Sequence, residues 1–578
     1  MCGIAGIVHF AGGALDRVDR ARRMSARLRH RGPDGSGEVL SPWAVLEHRR
    51  LALVDPGQGA QPMQSPDGRF SLVYNGELYD HEALRRRLPY PFRTRCDAET
   101  LLAAYATWGA DCITHLNGMF AFFVWDARLR RGFAGRDPLG VKPFAYRWHE
   151  GELAFASEAQ ALLEGVRARP RHWAMLEQLV APAFSGVEAP MFEEIEYLPP
   201  GHCLEVSEAG PVTRRYFHYR VESTPAPVPA PAELRDALGR AVDRCLTADA
   251  PLGLYLSGGL DSTAIAAFSR HRATLPAFTV AFEGMADYDY DRSLIVASDD
   301  RPLAESAARD LGLPLRQVEV PRSALAADLE RVSRTNDALP AWEQEIAQDH
   351  LAQAAACEVK GVLVGDAADE THCGYHFLLD EAATASPRAI LERFGSVPIR
   401  SDVLDDPIGH FARKYSTWTN PDGDRAARLA GTIGLIVDRW LPRLLHNGDI
   451  HAMRWSLEAR VPFADLDLLR LAQAIPAATA LAGGREKAHL REALRGVIPE
   501  TIRGRRKSAL PKDQGAEPVY RAEAARLFTE PPAVVDELVD LRRVRERLRS
   551  PAALHERERA AIFRVICLTH FCRHHGLA

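Results

Sequence analysis

The sequence predicts two folded domains of different class. An α+β domain spans residues 1–210, and an α/β domain with a helical C-terminal part spans 234–578, with a linker at 211–233 between them. Three patterns predict this. The first part alternates short apolar runs with turns and has few helical repeats. The stretch STPAPVPAPA then sets four prolines in ten residues, which neither a helix interior nor a central strand tolerates. Beyond it, apolar strands alternate with amphipathic helices, the mark of a parallel sheet built from βαβ units.

In the first domain the runs CGIAGIVHF, WAVLEHRRLALV, FSLVYNGELY, FAFFVWDARLRRGFAGRD and LAFAS are expected strands. RVDRARRMSARLRHRGPDG and AETLLAAYATWGADCITHL carry apolar residues at helical spacing and are expected helices. The prolines predict an extended linker, with a surface loop inside one domain as the alternative. The second domain opens with helix ELRDALGRAVDRCL. Strands LGLYLSG, AFTVAF, LRQVEV and GVLVGD then alternate with helices STAIAAFSRH, RPLAESAARDLG and DHLAQAAACEVK. YDYDRSLIVASDDRPLAE reads as a polar, mobile loop near the second domain's site. After residue 380 the pattern is mainly helical.

The 578 residues include 46% hydrophobic and 26% charged side chains, an ordinary globular balance. A net charge of -5 argues against a chain-wide nucleic-acid surface. Nine cysteines without a C-x-x-C pair read as free thiols of a reducing compartment. No signal-peptide pattern and no membrane-length apolar run are present. The expectation is a cytoplasmic protein that binds neither membrane nor nucleic acid; a homodimer is left open.

Cys2 follows the initiator methionine. Removal of Met1 would leave a thiol and a free α-amine on one carbon, a nucleophile with its own base. In LGLYLSGGLDSTAIAAF an apolar strand ending at Leu256 runs through Ser257, Gly258, Gly259, Leu260, Asp261 and Ser262 into a helix. Glycines allow close approach of an anion, and the helix start offers unpaired N–H groups. The phosphate-loop lysine of G-x-x-x-x-G-K-[ST] is absent, so the loop is less suited to γ-phosphoryl transfer. A second strand, GVLVGDAADE, ends in Asp366, Asp369 and Glu370. Ligands of open parallel sheets sit at the carboxyl ends of strands, and three carboxylates there call for a cation. The alternative is an acidic surface turn. THCGYH brings His372, Cys373 and His376 together but supplies no fourth zinc ligand.

SGGLDS resembles the pyrophosphate loop of ATP pyrophosphatases. With MCGIAGI, RHRGPDG, HRRLALVD, YNGELYD, CDAET, GRDPLGVKP, GDAADE, SLEARVPF and EKAHLREAL in this order, the chain resembles glutamine-dependent asparagine synthetases and their amidotransferase relatives over nearly its whole length. That resemblance implies an N-terminal-nucleophile glutaminase, an αββα sandwich, followed by an adenine-nucleotide α-hydrolase-like domain. ATP and Mg²⁺ are the implied cofactors, and L-glutamine and a carboxylic-acid acceptor the implied substrates. Ammonia would pass through an internal tunnel.

By resemblance, Cys2 is the glutaminase nucleophile, and Asn75 and Gly76 are oxyanion donors. Arg50 holds the glutamine carboxylate, Glu77 lies alongside, and Asp97 holds the ammonium. Leu256 and Val280 match adenosine contacts, with Val364 and Gly365 on the next strand end. Ser257, Gly258, Gly259, Asp261 and Ser262 match the pyrophosphate loop. Asp261 and Asp369 are the expected metal-side acids. Asp366 matches a carboxylate that matters for acyl-adenylate formation, Lys487 the lysine at the charged intermediate, and Lys507 a further basic residue near the phosphates. RGRRK also reads as a solvated basic patch.

The acceptor region departs from the family. Where asparagine synthetases carry hydroxyl residues and an arginine, this chain has NDALPAWEQEIAQDH. Trp342, Glu343, Glu345 and Glu370 are the candidate acceptor-pocket residues. Acids there would repel aspartate, although positions 343 and 345 do not share a helix face. An acceptor other than aspartate is therefore expected, with a divergent asparagine synthetase as the alternative. Two further readings are a ligase that uses an amine other than ammonia and a non-catalytic homologue. The retained glutaminase residues speak against the first, and the intact set Cys2, Asp261, Asp369 and Lys487 against the second.

Overall fold

The computed structural model describes residues 2–55, 57–186, 188–221, 227–271, 275–290, 296, 298–395, 397–420, 422–508 and 512–577. The first domain is built on two six-stranded antiparallel sheets. One contains β1 (Gly3–His9) beside β2 (Ala44–Arg50), and the other contains β3 (Phe70–Leu78) in its interior. Alternate residues of β1 and β3 point between the sheets, where Ile4, Val8, Val73, Phe123 and Phe155 form a closed core. Helix Val18–Arg27 packs on β1 and β2, and α1 (Asp97–Trp108) packs on β3. The layers are helix, sheet, sheet, helix, as the αββα expectation requires.

The domain runs past residue 210. Gly210–Arg215 is a strand paired antiparallel with His202–Ser207, and helix Pro231–Cys245 begins before residue 233. The expected linker 211–233 is therefore shorter at both ends. Its prolines hid the strand because the run PVTRRYF lacks a long apolar stretch. Residues 222–226 of the proline-rich segment, and part of the loop expected at 288–305, lie outside the described residues.

The second domain holds a five-stranded, all-parallel sheet. Its strands are β4 (Leu252–Tyr255), β5 (Ala277–Phe282), β6 (Leu315–Val320), β7 (Gly361–Leu363) and β8 (Glu458–Arg460), in spatial order β6-β5-β4-β7-β8. The first four are the strands expected from sequence. The fifth is three residues of the SLEARVPF motif, too short to show a period. β4 and β7 are neighbours, so the SGGLDS loop and the GDAADE turn leave the sheet side by side. Helices α2 (Leu260–Ser269) and α3 (Gln344–Ala356) belong to the crossovers. The C-terminal part is helical and closes with α4 (Leu441–Arg454) before β8 and α5 (Glu556–His575) at the end. Among the described residues no helix is long and apolar enough to cross a membrane.

The largest hydrophobic core is continuous across both domains, joining Ile7, Met24 and Leu179 to Leu329 and Val565. Buried polar groups fix the register of that interface. Asp337 of the second domain accepts from the amides of Ala159 at 2.5 Å and Gln160 at 3.1 Å, at the start of a 3₁₀ turn in the first. Burial, and then the Glu158 charge, lifts the Asp337 carboxyl to about 7. In the unfolded chain it titrates near ~3.9. Ionising it in the folded protein therefore costs stability, a loss that develops as pH rises from ~4 to ~7. Asp337→Asn removes the charge but keeps one acceptor oxygen, so one of the two amides loses its partner. Its thermal-unfolding midpoint relative to wild type should be lowest near pH 4, where the wild-type carboxyl is neutral, and should rise by pH 8, as followed by differential scanning calorimetry.

Candidate active sites

The first site gathers at the start of β1. The backbone amide of Cys2 donates to Asn75 Oδ1 at 3.0 Å. Asn75 is fully buried in β3, and its Nδ2 has no hydrogen-bond partner. An amide N–H₂ left over beside a thiol is a donor available to a developing oxyanion. Gly76 follows on the same strand, opposite Phe120. Burial pushes the Cys2 thiol up, against the Leu51 backbone bond and the Arg50 charge.

Arg50 ends β2, and its Nη2 donates to the Asp55 carbonyl at 2.7 Å. Asp97 starts α1 and accepts from Tyr74 Oη at 2.8 Å and the Leu78 amide at 3.0 Å. Glu77 sits 3.3 Å from the Arg460 guanidinium of β8. Burial holds the Glu77 carboxyl well above the carboxylate range; Arg460 opposes this, while Asp97 and Glu458 add to it.

Arg31 ties this site to the other domain. Its Nε donates to the Cys2 carbonyl at 3.2 Å, Nη1 to Glu158 at 2.9 Å and Nη2 to Asp449 of α4 at 2.7 Å. Burial opposes the Arg31 charge, and Asp449 and Glu158 outweigh it. The sequence marks Arg31 only as part of RHRGPDG, and Asp449 carries no local signal at all.

The second site lies at the carboxyl ends of β4 and β7. Leu256 is buried at the end of β4, and Val280 in β5. Ser257 Oγ and Ser262 Oγ are 3.1 Å apart, and the Gly259 amide donates to Ser257 Oγ at 3.3 Å. Gly258 has φ 66°, and a Cβ there would fall 2.5 Å from the Leu303 carbonyl carbon. Only glycine fits such a left-handed, crowded position. Val364 is buried, its amide bonded to the Arg460 carbonyl at 2.9 Å, and Gly365 packs against Asp261.

The cation that the acid cluster calls for is present as two lysines. Lys487 Nζ lies 2.6 Å from Asp261 Oδ2 and 2.5 Å from Asp369 Oδ1, and Lys507 Nζ lies 2.5 Å from Asp369 Oδ2. Burial opposes the Asp369 charge, but both lysines hold its carboxyl well below the usual range. Asp366 has no such partner. Burial pushes it up to about 6; Lys507 opposes this, and Asp369 and Asp261 add to it.

Asp261 keeps a second oxygen, Oδ1, buried without a hydrogen-bond partner. That atom suits a hard cation. Among the described residues no three or more His, Cys, Asp or Glu side chains gather as a metal site. Two carboxylates with phosphate oxygens completing the shell is the arrangement Mg²⁺ favours, so the residues present fit it.

The four candidate acceptor residues separate. Glu343 accepts from Tyr520 Oη at 2.6 Å and the Asp513 amide at 3.0 Å. Glu345 accepts from the Ala341 amide at 2.7 Å and Asn336 Nδ2 at 3.2 Å, with His451 Nε2 at 3.3 Å. Both carboxylates are thus committed to separate buried networks, and the repulsion argued from their charges loses its basis. Glu370 follows Asp369 and accepts from Tyr375 Oη. Trp342 is half-buried among aromatic rings.

Comparison with known proteins assigns both halves. Residues 1–217 match the family model of a glutamine amidotransferase domain, and residues 233–571 match that of asparagine synthase. The chain is 31% identical to asparagine synthetase [glutamine-hydrolyzing] 3 of Bacillus subtilis, covering 89% of this chain and 88% of that one. It is 25% identical to asparagine synthetase [glutamine-hydrolyzing] 1 of the same organism, covering 88% and 87%. A solved glutamine phosphoribosylpyrophosphate amidotransferase from B. subtilis covers 63% of this chain at 15% identity and a TM-score of 0.29.

The lysine bridge depends on one small residue. A Cβ at Gly374 would fall 2.0 Å from Asp369 Oδ1 and 2.3 Å from Lys487 Cε. Gly374→Ala should displace both groups and lower pyrophosphate release about 10- to 100-fold, since such misplacements are costly to positioned chemistry. Steady-state pyrophosphate assays against wild type check this.

Proposed function

The chain belongs to the asparagine synthetase family, and from that premise we propose how its two sites divide one reaction and which acceptor they serve. It is a carbon–nitrogen ligase that takes its nitrogen from glutamine.

At the first site the Cys2 thiolate attacks the carboxamide carbon of glutamine, with the Cys2 α-amine, freed by loss of Met1, as base. A C–S bond forms, the C–N bond breaks, and the nitrogen leaves as ammonia with the proton. Water then cleaves the thioester to glutamate. Asn75 Nδ2 and the Gly76 amide face the oxyanion. Arg50 takes the α-carboxylate, Asp97 the α-ammonium, and Glu77 lies alongside.

At the second site a carboxylate oxygen of the acceptor attacks the α-phosphorus of ATP and pyrophosphate leaves. Ammonia adds to the acyl carbon, AMP leaves, and the new amide gives up a proton. Asp366, with a carboxyl near neutrality, is suited to take it. Ser257, Gly258, Gly259 and Ser262 hold the leaving pyrophosphate, and Lys487 and Lys507 offset its charge. Leu256, Val280, Val364 and Gly365 frame the nucleoside. Asp261 and Asp369 would hold Mg²⁺, which, when bound, neutralises the phosphates.

The observation that carries this reading is Lys487 bridging Asp261 and Asp369 at the ends of adjacent parallel strands. The acceptor is a carboxylic acid other than aspartate. What supports this is Trp342 with its aromatic neighbours, in a region where asparagine synthetases carry hydroxyl residues and an arginine.

Purified protein should release glutamate from glutamine, and Cys2→Ala should reduce that by about 10³-fold or more while pyrophosphate release with free ammonia continues. Retained glutamate release in Cys2→Ala would sink the nucleophile assignment. Asp261→Ala should stop pyrophosphate release with either nitrogen source; undiminished release would remove Asp261 from the phosphate site.

A further inference from the structure

Between helix Arg425–Leu435 and α4 the backbone makes a single π-turn, Ile436–Trp440. Such a turn carries an extra residue and re-aims the side chains at its end, often at functional sites. Here it delivers Trp440 onto Tyr375, with ring centroids 4.5 Å apart and planes within 11°. Phe377 lies nearly parallel to the same indole at 6.2 Å, Phe394 meets it edge-on at 5.2 Å, and Trp342 lies 6.4 Å away. The five rings form one wall.

Two features separate this wall from ordinary aromatic core. Trp440 is 8% exposed, yet its Nε1–H has no hydrogen-bond partner. A buried indole N–H normally finds an acceptor, because an unmet donor carries its full desolvation cost. Trp342, Tyr375 and Phe394 are each only half-buried. The wall also starts at the chemistry. Tyr375 Oη donates to Glu370, the residue after Asp369, which both lysines hold.

We infer that this wall binds the acceptor, and that the acceptor is a carboxylic acid with a planar aromatic body bearing a polar atom that accepts the Trp440 N–H bond. The inference deepens the reading that the acceptor is not aspartate, and rests on it. Ring faces reward a flat aromatic partner more than a short aliphatic dicarboxylate; the Arg393 guanidinium already lies over the Phe377 ring at 5.4 Å.

The test uses full-length protein with ATP, Mg²⁺ and glutamine. Pyrophosphate release is measured with benzoic, 4-hydroxybenzoic and indole-3-carboxylic acids, and with aspartic, glutaric and hexanoic acids. Saturable quenching of tryptophan fluorescence by the same acids reports binding directly. Turnover and saturable quenching are expected with the aromatic set. Trp440→Phe keeps the stack and removes the N–H; it should raise KM for 4-hydroxybenzoic acid about tenfold with kcat little changed, at an unaltered thermal midpoint. Trp342→Ala should raise KM for all three aromatic acids.

Preference for glutaric or hexanoic acid overturns the inference and leaves the altered-acceptor reading standing. Turnover with aspartate alone overturns both. Absence of saturable quenching by every aromatic acid overturns the inference, and wild-type KM in both variants removes the wall from acceptor binding.

Discussion

One guanidinium, that of Arg31, holds the two halves of this protein in a common frame. It binds the carbonyl of Cys2 on one side and a carboxylate of α4 on the other. Both ends are buried, so the pair cannot relax into solvent, and loss of Arg31 would leave Asp449 the longer contact to Lys142 at 3.5 Å. β8 adds a second tie, because Arg460 extends the parallel sheet of one domain and reaches Glu77 in the other. The proposed glutamine site is therefore completed by the domain that does not contain Cys2. A chain with two separable domains would need neither contact.

The second site solves a different electrostatic problem. Asp261, Asp366 and Asp369 converge where two parallel strands end, and like charges at that spacing do not all ionise freely. Lys487 and Lys507 hold Asp369 charged, while Asp366, without an ammonium bonded to it, rises to about 6. One cluster thus holds both fixed charge and a carboxyl near neutrality, as the proposed phosphate chemistry and proton transfer require. Gly374 permits this density, since no larger residue leaves Lys487 room beside Asp369.

The legible parts of the sequence were those whose chemistry is local. SGGLDS declares itself because strand, glycines and helix start are consecutive, and GDAADE because its carboxylates follow one short strand. The four strands of βαβ units were readable from period and order. What escaped depends on distant partners. Arg31 meets Asp449 across 418 positions, and no window of sequence holds both. Glu343 and Glu345 suggested a repulsive pocket because charge is visible in sequence, whereas their partners Tyr520, Asp513, Asn336 and His451 are not. The strand Gly210–Arg215 was lost to the adjoining prolines, since an exposed edge strand needs little apolar content.

Glu343 and Glu345 bear on the acceptor only through the buried partners that hold them. Repulsion of aspartate no longer follows from those two acids, because each is already paired inside the fold. What remains is the makeup of the neighbouring surface, where rings predominate and the Arg393 guanidinium already lies over Phe377 at 5.4 Å. The lysines of the site are committed to Asp261 and Asp369, and the neighbouring surface is made of rings ending in a single indole donor. A dicarboxylate entering such a surface would give up hydration against ring faces, which is unfavourable in a buried site. A planar ring gains contact on the same surface. The preference thus follows from what the pocket offers, a more secure basis than what it repels.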